Sequence, residues 1–305
     1  MNETRVFSPA TVSNVVCGFD CLGFALTQPC DEMVVRKIAD KTIRITNDDG
    51  FGLTSDPQAN VAGIALGALM DDAGIDHGFE IVSRKSIKPG SGIGSSAASA
   101  SAAVVAANRL LGDRYTRSEL LGFALEGESF ASGAIHADNL APCIYGGFAL
   151  VRSVDPLDVV ELKYPPLYAT VIHPQIEIKT SEARAILPRE VPLKSAVRQW
   201  SNLGSLVAGL GQGDIELIRR SLEDVIVEPA RKLLIPQFDE MKSACLDAGA
   251  LGGGISGSGP SVFMLSETAD IARAVETALQ TVYSSTGIEF NTYVSAIESN
   301  GVRFG

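Results

Sequence analysis

A glycine-rich segment that runs directly into an alanine-rich stretch most constrains how this chain folds. Glycine lets the backbone turn its N–H groups toward an anion, and a helix start adds unpaired donors and the positive end of its dipole. The segment therefore predicts a phosphate-binding turn, with a plain glycine turn capped by serine as the alternative. No lysine follows the glycines, so this is not a Walker A loop. Its residues are Pro89, Gly90, Ser91, Gly92, Ile93, Gly94, Ser95 and Ser96.

Two further segments carry unusual patterns. Residues 252–260 read Gly-Gly-Gly-Ile-Ser-Gly-Ser-Gly-Pro, and so much glycine indicates close approach of this loop to a ligand or to another backbone. Residues 9–23 place Asn14 and Asp20 in an otherwise apolar run, where both residues could simply serve turns. Each segment is ambiguous by itself.

Charge and composition exclude several classes of function. Lys and Arg number 25 against 36 Asp and Glu, which gives a formal net charge of −11. A phosphate backbone or an anionic membrane favours a basic face, so we expect neither nucleic acid nor a membrane as partner. The first residues show no charged leader followed by an apolar run, and we therefore expect a cytoplasmic protein.

The order of short apolar runs and helical patterns predicts an α/β chain. Strands are expected at 34–38, 41–46, 78–86, 147–153, 168–173, 176–179, 261–265 and 293–297. Helices are expected at 60–72, 119–127, 195–209, 215–225, 238–248 and 269–283. A soft domain boundary is expected near residues 153–165, where Asp155-Pro156 interrupts the pattern.

Taken together, the three segments resemble the three motifs of the GHMP kinase superfamily, the galacto-, homoserine, mevalonate and phosphomevalonate kinases. Within it, Pro-Ala-Thr-x-x-Asn near the N-terminus, Gly-Phe-Asp at 18–20 and His-Ala-Asp-Asn-Leu-Ala-Pro at 136–142 resemble the homoserine kinase family. The sequence departs from that family at Val15-Val16-Cys17, where Leu-Gly-Pro is common. The match covers nearly the whole chain.

The resemblance implies a fold and a domain division. Residues 1–158 would form an ATP-binding domain of the ribosomal protein S5 domain 2-like type, and residues 159–305 a ferredoxin-like α+β domain. The active site would lie between them. The family also suggests a homodimer.

The resemblance further implies a site for ATP and Mg²⁺. Residues 89–96 would bind the nucleotide together with Gly257 and Ser258. Ser96 and Glu126 would supply a hydroxyl and a carboxylate to the metal, and hard oxygen ligands suit Mg²⁺. Ser95 remains an alternative to Ser96.

The acceptor site is likewise implied by the resemblance. L-Homoserine presents an ammonium, a carboxylate and a hydroxyl; Asp20 would take the ammonium, and Arg184 and Arg231 the carboxylate. Asn14 and Asn139 would orient the amino and hydroxyl ends. Thr180 would lie near the transferred phosphate. Asn139, Thr180 and Arg184 would thus act in catalysis, and His136 is expected to be a hydrogen-bonded loop residue rather than a base.

These assignments predict ATP-dependent phosphorylation of L-homoserine to O-phospho-L-homoserine, in threonine biosynthesis. Two alternatives remain open. Another small-molecule kinase of the superfamily, such as one acting on mevalonate, would have no ammonium to pair with Asp20. A non-catalytic nucleotide-binding relative would need neither Ser96 nor Glu126.

Overall fold

Two β-sheets with helices packed against them make up the chain. The computed structural model describes residues 1–48, 50–132 and 136–305, without side chains at 131, 132 and 180. The strands are β1 Glu3–Val15, β2 Gly18–Ile38, β3 Ile43–Asn47, β4 Gly78–Arg84, β5 Phe148–Val154, β6 Leu157–Leu162, β7 Tyr168–Pro174, β8 Gly252–Ile255, β9 Val262–Ser266, β10 Phe290–Ala296 and β11 Arg303–Phe304.

The predicted helices are all present, and the structure adds short helices that were not predicted, at Leu140–Tyr145, Thr180–Ala185 and Glu228–Arg231. The helices are α1 Val61–Ala73, α2 Ser95–Leu110, α3 Arg117–Ser132, α4 Leu140–Tyr145, α5 Thr180–Ala185, α6 Leu193–Gln212, α7 Ile215–Ser221, α8 Glu228–Arg231, α9 Phe238–Asp247 and α10 Ala269–Ser284, with a 3-10 turn at Lys232–Leu234. The predicted α/β content is confirmed.

The first sheet is built around one long hairpin, β1 and β2, of which only the end of β2, at 34–38, was predicted. Its seven strands include β11, β1, β2, β4 and β3 in that order, and β5 pairs with both β2 and β6. β2 is 21 residues long, so its two ends pair with different strands, β5 near Leu22 and β4 from Glu32 onward. The part of the hairpin that was not predicted contains the polar segment at residues 9–23, whose Asn14 and Asp20 masked the strand pattern.

The second sheet has four strands in the order β10-β7-β9-β8. β8 consists of Gly252–Ile255, so half of the second glycine cluster is strand rather than loop, which corrects the prediction for that segment. A side chain at Gly253 would meet the Phe263 carbonyl oxygen at 2.0 Å, which explains why glycine occupies this strand. The predicted strand at 176–179 is also wrong, because these residues precede α5 without pairing.

Local sequence explains where the flanking helices start and stop. Asn60 caps α1 by accepting a hydrogen bond from the Ala62 N–H, and Gly74 ends that helix in the left-handed conformation. Thr268 caps α10, which buries Ala272, Val275 and Leu279 on one face. This spacing of three and four residues is that of an amphipathic helix lying on a sheet.

One hydrophobic core joins the two sheets. Phe24 of β2 packs against Phe148 of β5 at 4.9 Å between ring centroids, and against Phe263 of β9 at 5.5 Å. All three rings are buried. The predicted boundary at residue 158 falls within β6 of the first sheet, and the division at that residue stays a prediction.

Among the described helices, none combines the length and the hydrophobicity that crossing a membrane would require.

We predict that Phe263→Ala destabilises the whole chain as one unit. Truncating a buried phenylalanine costs roughly 3–5 kcal/mol, and here it also removes the ring contact between the sheets. Urea unfolding followed by Trp200 fluorescence and by far-UV circular dichroism should give one shared transition at a lower urea midpoint. Two separate transitions in the wild-type chain would show that the sheets unfold independently.

Candidate active site

Three distant segments meet at backbone contact between the two sheets. The Gly257 N–H donates to the Ser13 carbonyl oxygen at 3.1 Å, and the Thr11 N–H donates to the Ile93 carbonyl oxygen at 3.1 Å. The Ser256 hydroxyl donates to the Gly92 carbonyl oxygen at 2.7 Å. The three unusual segments of the sequence therefore form one structural unit.

Glycine is required where these loops touch. Gly92 has φ +80°, and a Cβ there would lie 2.6 Å from the Gly259 carbonyl oxygen. Gly94 has φ +73°, and a Cβ there would lie 2.0 Å from the Thr11 hydroxyl. Both the left-handed conformation and the lack of space exclude other residues.

A cavity of about 420 Å³ opens beside this contact. Of the residues predicted to bind the nucleotide, Pro89, Gly90, Gly92, Gly94, Ser95, Ser96, Gly257 and Ser258 line it. Ser91 and Ile93 are not among the lining residues. Both are buried, Ile93 within the hydrophobic core. The Ser91 carbonyl oxygen instead accepts a hydrogen bond from the Ser261 hydroxyl, at 2.6 Å.

The N-terminus of α2 faces this cavity. Within the described part of the chain, no side chain caps that end, where Gly94 occupies the cap position. The backbone N–H groups of the first turn and the positive end of the helix dipole are therefore available to an anion.

Ser95 and Ser96 are distinguished by their bonds. The Ser95 hydroxyl is buried and donates to the Ile87 carbonyl oxygen at 2.8 Å. Ser96 is half-buried and lies beside Glu128, with which it forms a hydrogen bond. Ser96 is therefore the serine placed for a ligand in the cavity.

Helix α3 turns Glu128, rather than Glu126, toward the cavity. Glu126 is exposed and is absent from the cavity lining, so the structure does not bring it to Ser96 as predicted. Two positions along a helix differ by about 200° in direction, which explains why neighbouring glutamates face opposite ways. Burial raises the pKa of Glu128, and the bond with Ser96 opposes that rise.

One end of the cavity has an apolar wall that sequence analysis missed. It is formed by residues from β3, β4, α1 and the segment before α1, among them Ile45, Leu53, Val61, Ala62 and Ile81. These residues come from separate elements and form no local motif. They are recognised only in the folded chain, where they line the same cavity as the phosphate-binding turn.

The other end of the cavity is polar, and Asn14 organises it. Asn14 and Asp20 both adopt left-handed backbone conformations, with φ of 55° and 57°. The Asn14 side-chain oxygen accepts from the Asp20 N–H at 2.7 Å, and its amide donates to the Gly257 carbonyl oxygen at 2.7 Å. Asn14 thus shapes the turn that holds Asp20 and ties it to the second glycine loop.

Asp20 and Arg184 form an ion pair in this polar end. One guanidinium nitrogen of Arg184, Nη2, lies 3.0 Å and 3.1 Å from the two carboxylate oxygens of Asp20. The same nitrogen lies 3.0 Å from Nε2 of His136. Since arginine only donates, His136 must accept at Nε2, which leaves its proton on Nδ1.

Arg231 is the more buried of the two predicted arginines. Its Nε donates to the Ala183 carbonyl oxygen at 3.1 Å and its Nη1 to the Gly257 carbonyl oxygen at 3.0 Å. These bonds use two of its five donors and join α5 to the glycine loop. Burial, and next the nearby Arg184 charge, lower the pKa of Arg231.

Asn139 lies between the two ends of the cavity. Its side-chain oxygen accepts from the Thr11 hydroxyl at 2.8 Å, and its amide donates to the Ser13 hydroxyl at 2.9 Å. An amide has two donors and two acceptor positions, so these two bonds use one of each. Burial, with the Asp20 charge as second cause, raises the pKa of the adjacent Asp138 to about 6.

Thr180 and the predicted metal site are the remaining assignments. The backbone of Thr180 begins α5, but its side chain lies outside the described atoms. Among the described residues, no group of three or more His, Cys, Asp or Glu side chains is arranged as a metal site.

Comparison with known proteins defines the class of the chain. The family model of the GHMP kinases N terminal domain matches residues 60–147, and that of the GHMP kinases C terminal region matches residues 206–285. These matches contain the phosphate-binding turn and the second glycine loop. They identify a GHMP kinase, which confirms the expected fold and the expected kinase class.

Full-length relatives narrow this class. A homoserine kinase of Chloroherpeton thalassium is 47% identical over 99% of both chains. One from Chlorobaculum tepidum is 45% identical over 99% of this chain and 98% of that one. The chain belongs to the homoserine kinase family, as its motifs predicted.

Solved structures agree. The crystal structure of a homoserine kinase from Cytophaga hutchinsonii matches with a TM-score of 0.96 and 49% identity, covering 100% of this chain and 98% of that one. A mevalonate kinase from L. major matches with a TM-score of 0.73 at 16% identity, covering 95% of each chain, and so shares the fold.

We predict that Gly92→Ala weakens ATP use, whereas Gly90→Ala does so far less. Both glycines have left-handed φ, but only the Cβ at position 92 meets the opposing loop; at position 90 nothing lies within 4 Å. The first substitution should raise KM for ATP at least about tenfold, because displacing the loop disturbs the phosphate donors. Steady-state kinetics of both variants measure the difference. Equal effects would show that backbone strain, and not the contact between the loops, accounts for the loss.

Proposed function

We propose that this chain transfers the γ-phosphoryl group of ATP to the hydroxyl of L-homoserine, forming O-phospho-L-homoserine and ADP in threonine biosynthesis. The observation that carries the proposal is one cavity with an uncapped helix N-terminus on one side and an acid–arginine pair on the other. The first suits phosphates and the second suits an amino acid zwitterion. Membership of the homoserine kinase family supports the same pairing of substrates.

The Asp20–Arg184 ion pair occupies the place proposed for the two charged groups of homoserine. On binding, the substrate ammonium would replace Arg184 at Asp20, and the substrate carboxylate would replace Asp20 at Arg184. This exchange replaces one ion pair within the protein by two ion pairs with the substrate, so neither side chain is left without an opposite charge. Arg231 would add hydrogen-bond donors to the substrate carboxylate. Its contact with the Phe19 ring and its hydrogen bonds to two carbonyl oxygens hold it in place.

The exchange explains why both charges of the substrate matter. A ligand with only one charged group would break the Asp20–Arg184 pair and replace only one half of it. The other residue would then be left partly desolvated without an opposite charge, which is more costly than the missing contact alone. Mevalonate has a carboxylate but no ammonium, so it falls in this class of poor ligand.

Asn139 would position the acceptor hydroxyl, with Thr180 near the transferred group and Arg184 fixing the carboxylate. The hydroxyl oxygen attacks the γ-phosphorus, and the bond from that phosphorus to the ADP oxygen breaks. A loose transition state needs little activation of the nucleophile, so the hydroxyl proton leaves late, onto the transferred phosphoryl group or water. An amide cannot take that proton, so positioning is the contribution of Asn139.

The donor atoms near the phosphate end fit Mg²⁺. The Ser96 hydroxyl and the Glu128 carboxylate are hard oxygen ligands beside the N-terminus of α2, and Mg²⁺ commonly takes one or two protein ligands plus substrate phosphate oxygens. We propose these two residues as its holders, with Glu128 in place of Glu126. When bound, the ion would neutralise charge on the phosphates. The chain itself contributes the N–H groups of α2.

We also propose that the enzyme is a homodimer in the cytoplasm. Leu193, Val197 and Trp200 form an exposed apolar stripe on α6, the kind of surface that a second copy covers. The requirement of the proposed reaction for ATP supports the cytoplasmic location.

We predict that turnover requires both charged groups of the acceptor. ADP release coupled to a reporter reaction would be measured with L-homoserine, mevalonate, shikimate and galactose. It would also be measured with 4-hydroxybutyrate, which lacks the ammonium, and 3-aminopropan-1-ol, which lacks the carboxylate. Homoserine should exceed every other compound in kcat/KM by about 100-fold or more, the loss expected when a charged pair is broken. Faster turnover of mevalonate than of homoserine would refute the proposed function.

We predict that Glu128→Gln shifts the Mg²⁺ dependence of the reaction, whereas Glu126→Gln leaves it unchanged. Both substitutions remove one negative charge from α3, but only Glu128 lies at the cavity with Ser96. The Mg²⁺ concentration for half-maximal turnover should rise about tenfold or more for Glu128→Gln. The reverse pattern would restore Glu126 as the ligand.

A further inference from the structure

Lys85 is a buried cation that the proposed reaction does not use. It follows β4 directly, and its side chain is 1% exposed. Its ammonium group contacts the Asp31 carboxylate and donates to the Ser95 carbonyl oxygen at 3.0 Å and the Ser99 hydroxyl at 2.9 Å. An ammonium has three donors, and these three acceptors account for them.

Asp31 connects the same cluster to the segment that leads into the phosphate-binding turn. Its carboxylate accepts from the N–H groups of Ser86 at 2.8 Å and Ile87 at 2.9 Å. The Ile87 carbonyl oxygen in turn accepts from the Ser95 hydroxyl. Asp31, Ile87, Ser95 and Lys85 thus form a closed ring of bonds between β2, the turn and the first residue of α2.

Stability of the helix does not explain a lysine in this place. The positive charge of Lys85 lies near the positive end of the α2 dipole, where a cation is unfavourable. A buried ion pair is also often no more stabilising than apolar residues of the same volume. What the ring does supply is a fixed position for the first turn of α2, whose N–H groups face the cavity.

We propose that Lys85, with Asp31, is a positioning residue for the nucleotide phosphates. It holds the start of α2 at a set distance from β2, so that the phosphate donors are in place before the nucleotide binds. Asp31 cancels its charge, so the effect is one of geometry. The identity of the nucleotide rests on the proposed function.

The direct test is the affinity for MgADP, measured by isothermal titration calorimetry without turnover. Lys85→Met combined with Asp31→Asn removes both charges together, so neither charge is left buried alone, and the asparagine oxygen still accepts from the Ser86 and Ile87 N–H groups. This variant should bind MgADP at least about tenfold more weakly than wild type. KM for homoserine should change less than about twofold, because the acceptor end is held by other residues. Unchanged MgADP affinity in the folded variant would overturn the proposal.

A milder pair of variants covers the case in which the double variant does not fold. Ser99→Ala removes one of the three acceptors that hold the Lys85 ammonium, whereas Ser101→Ala changes a buried serine of the same helix that is not one of those three acceptors. Ser99→Ala should weaken MgADP binding about threefold or more, and Ser101→Ala should not. Equal affinities would overturn the positioning role of Lys85.

A wild-type enzyme that binds MgADP but does not phosphorylate homoserine would contradict only the proposed function. The comparison of MgADP affinities between variants stands in that case.

Discussion

The close approach of two glycine loops is the constraint on which the site depends. The Gly92 backbone lies against Gly259 and Ser256, where no side chain fits. Through this contact the phosphate-binding turn of the first sheet meets the loop that follows β8 of the second. The same loop accepts bonds from Asn14 and Arg231 at Gly257. The positions of both ends of the cavity therefore depend on this one backbone contact.

Electrostatics explains why the site is built largely from backbone. The chain carries a net charge of −11, yet a kinase must bind a polyanion. The uncapped start of α2 supplies partial positive charge without a lysine in the loop. The nearby cation, Lys85, is neutralised by Asp31. In the acceptor site proposed above, the opposite charges of Asp20 and Arg184 would match the two charges of a zwitterion.

The sequence predicted the parts of the site that lie in local motifs, and not those that depend on register or distant packing. Glycine spacing indicated the phosphate-binding turn, and motif order indicated the family. The motif led to Glu126, whereas helical register turns Glu128, two residues further along Glu-Gly-Glu, toward the cavity. The pairing of Lys85 with Asp31 spans 54 positions and leaves no local pattern. The strand at β1 was hidden because its polar residues serve the site rather than the sheet.

The orientation of the acceptor is the central claim, and the identity of the product tests it most directly. If Asp20 and Arg184 hold the two charged groups, only the hydroxyl can reach the phosphate end near Asn139. Phosphorus-31 NMR of the reaction with ATP and L-homoserine should show one new phosphomonoester, coupled to the terminal methylene protons and formed in equal amount to ADP. A phosphoramidate, an acyl phosphate, or ADP with inorganic phosphate alone would contradict this account.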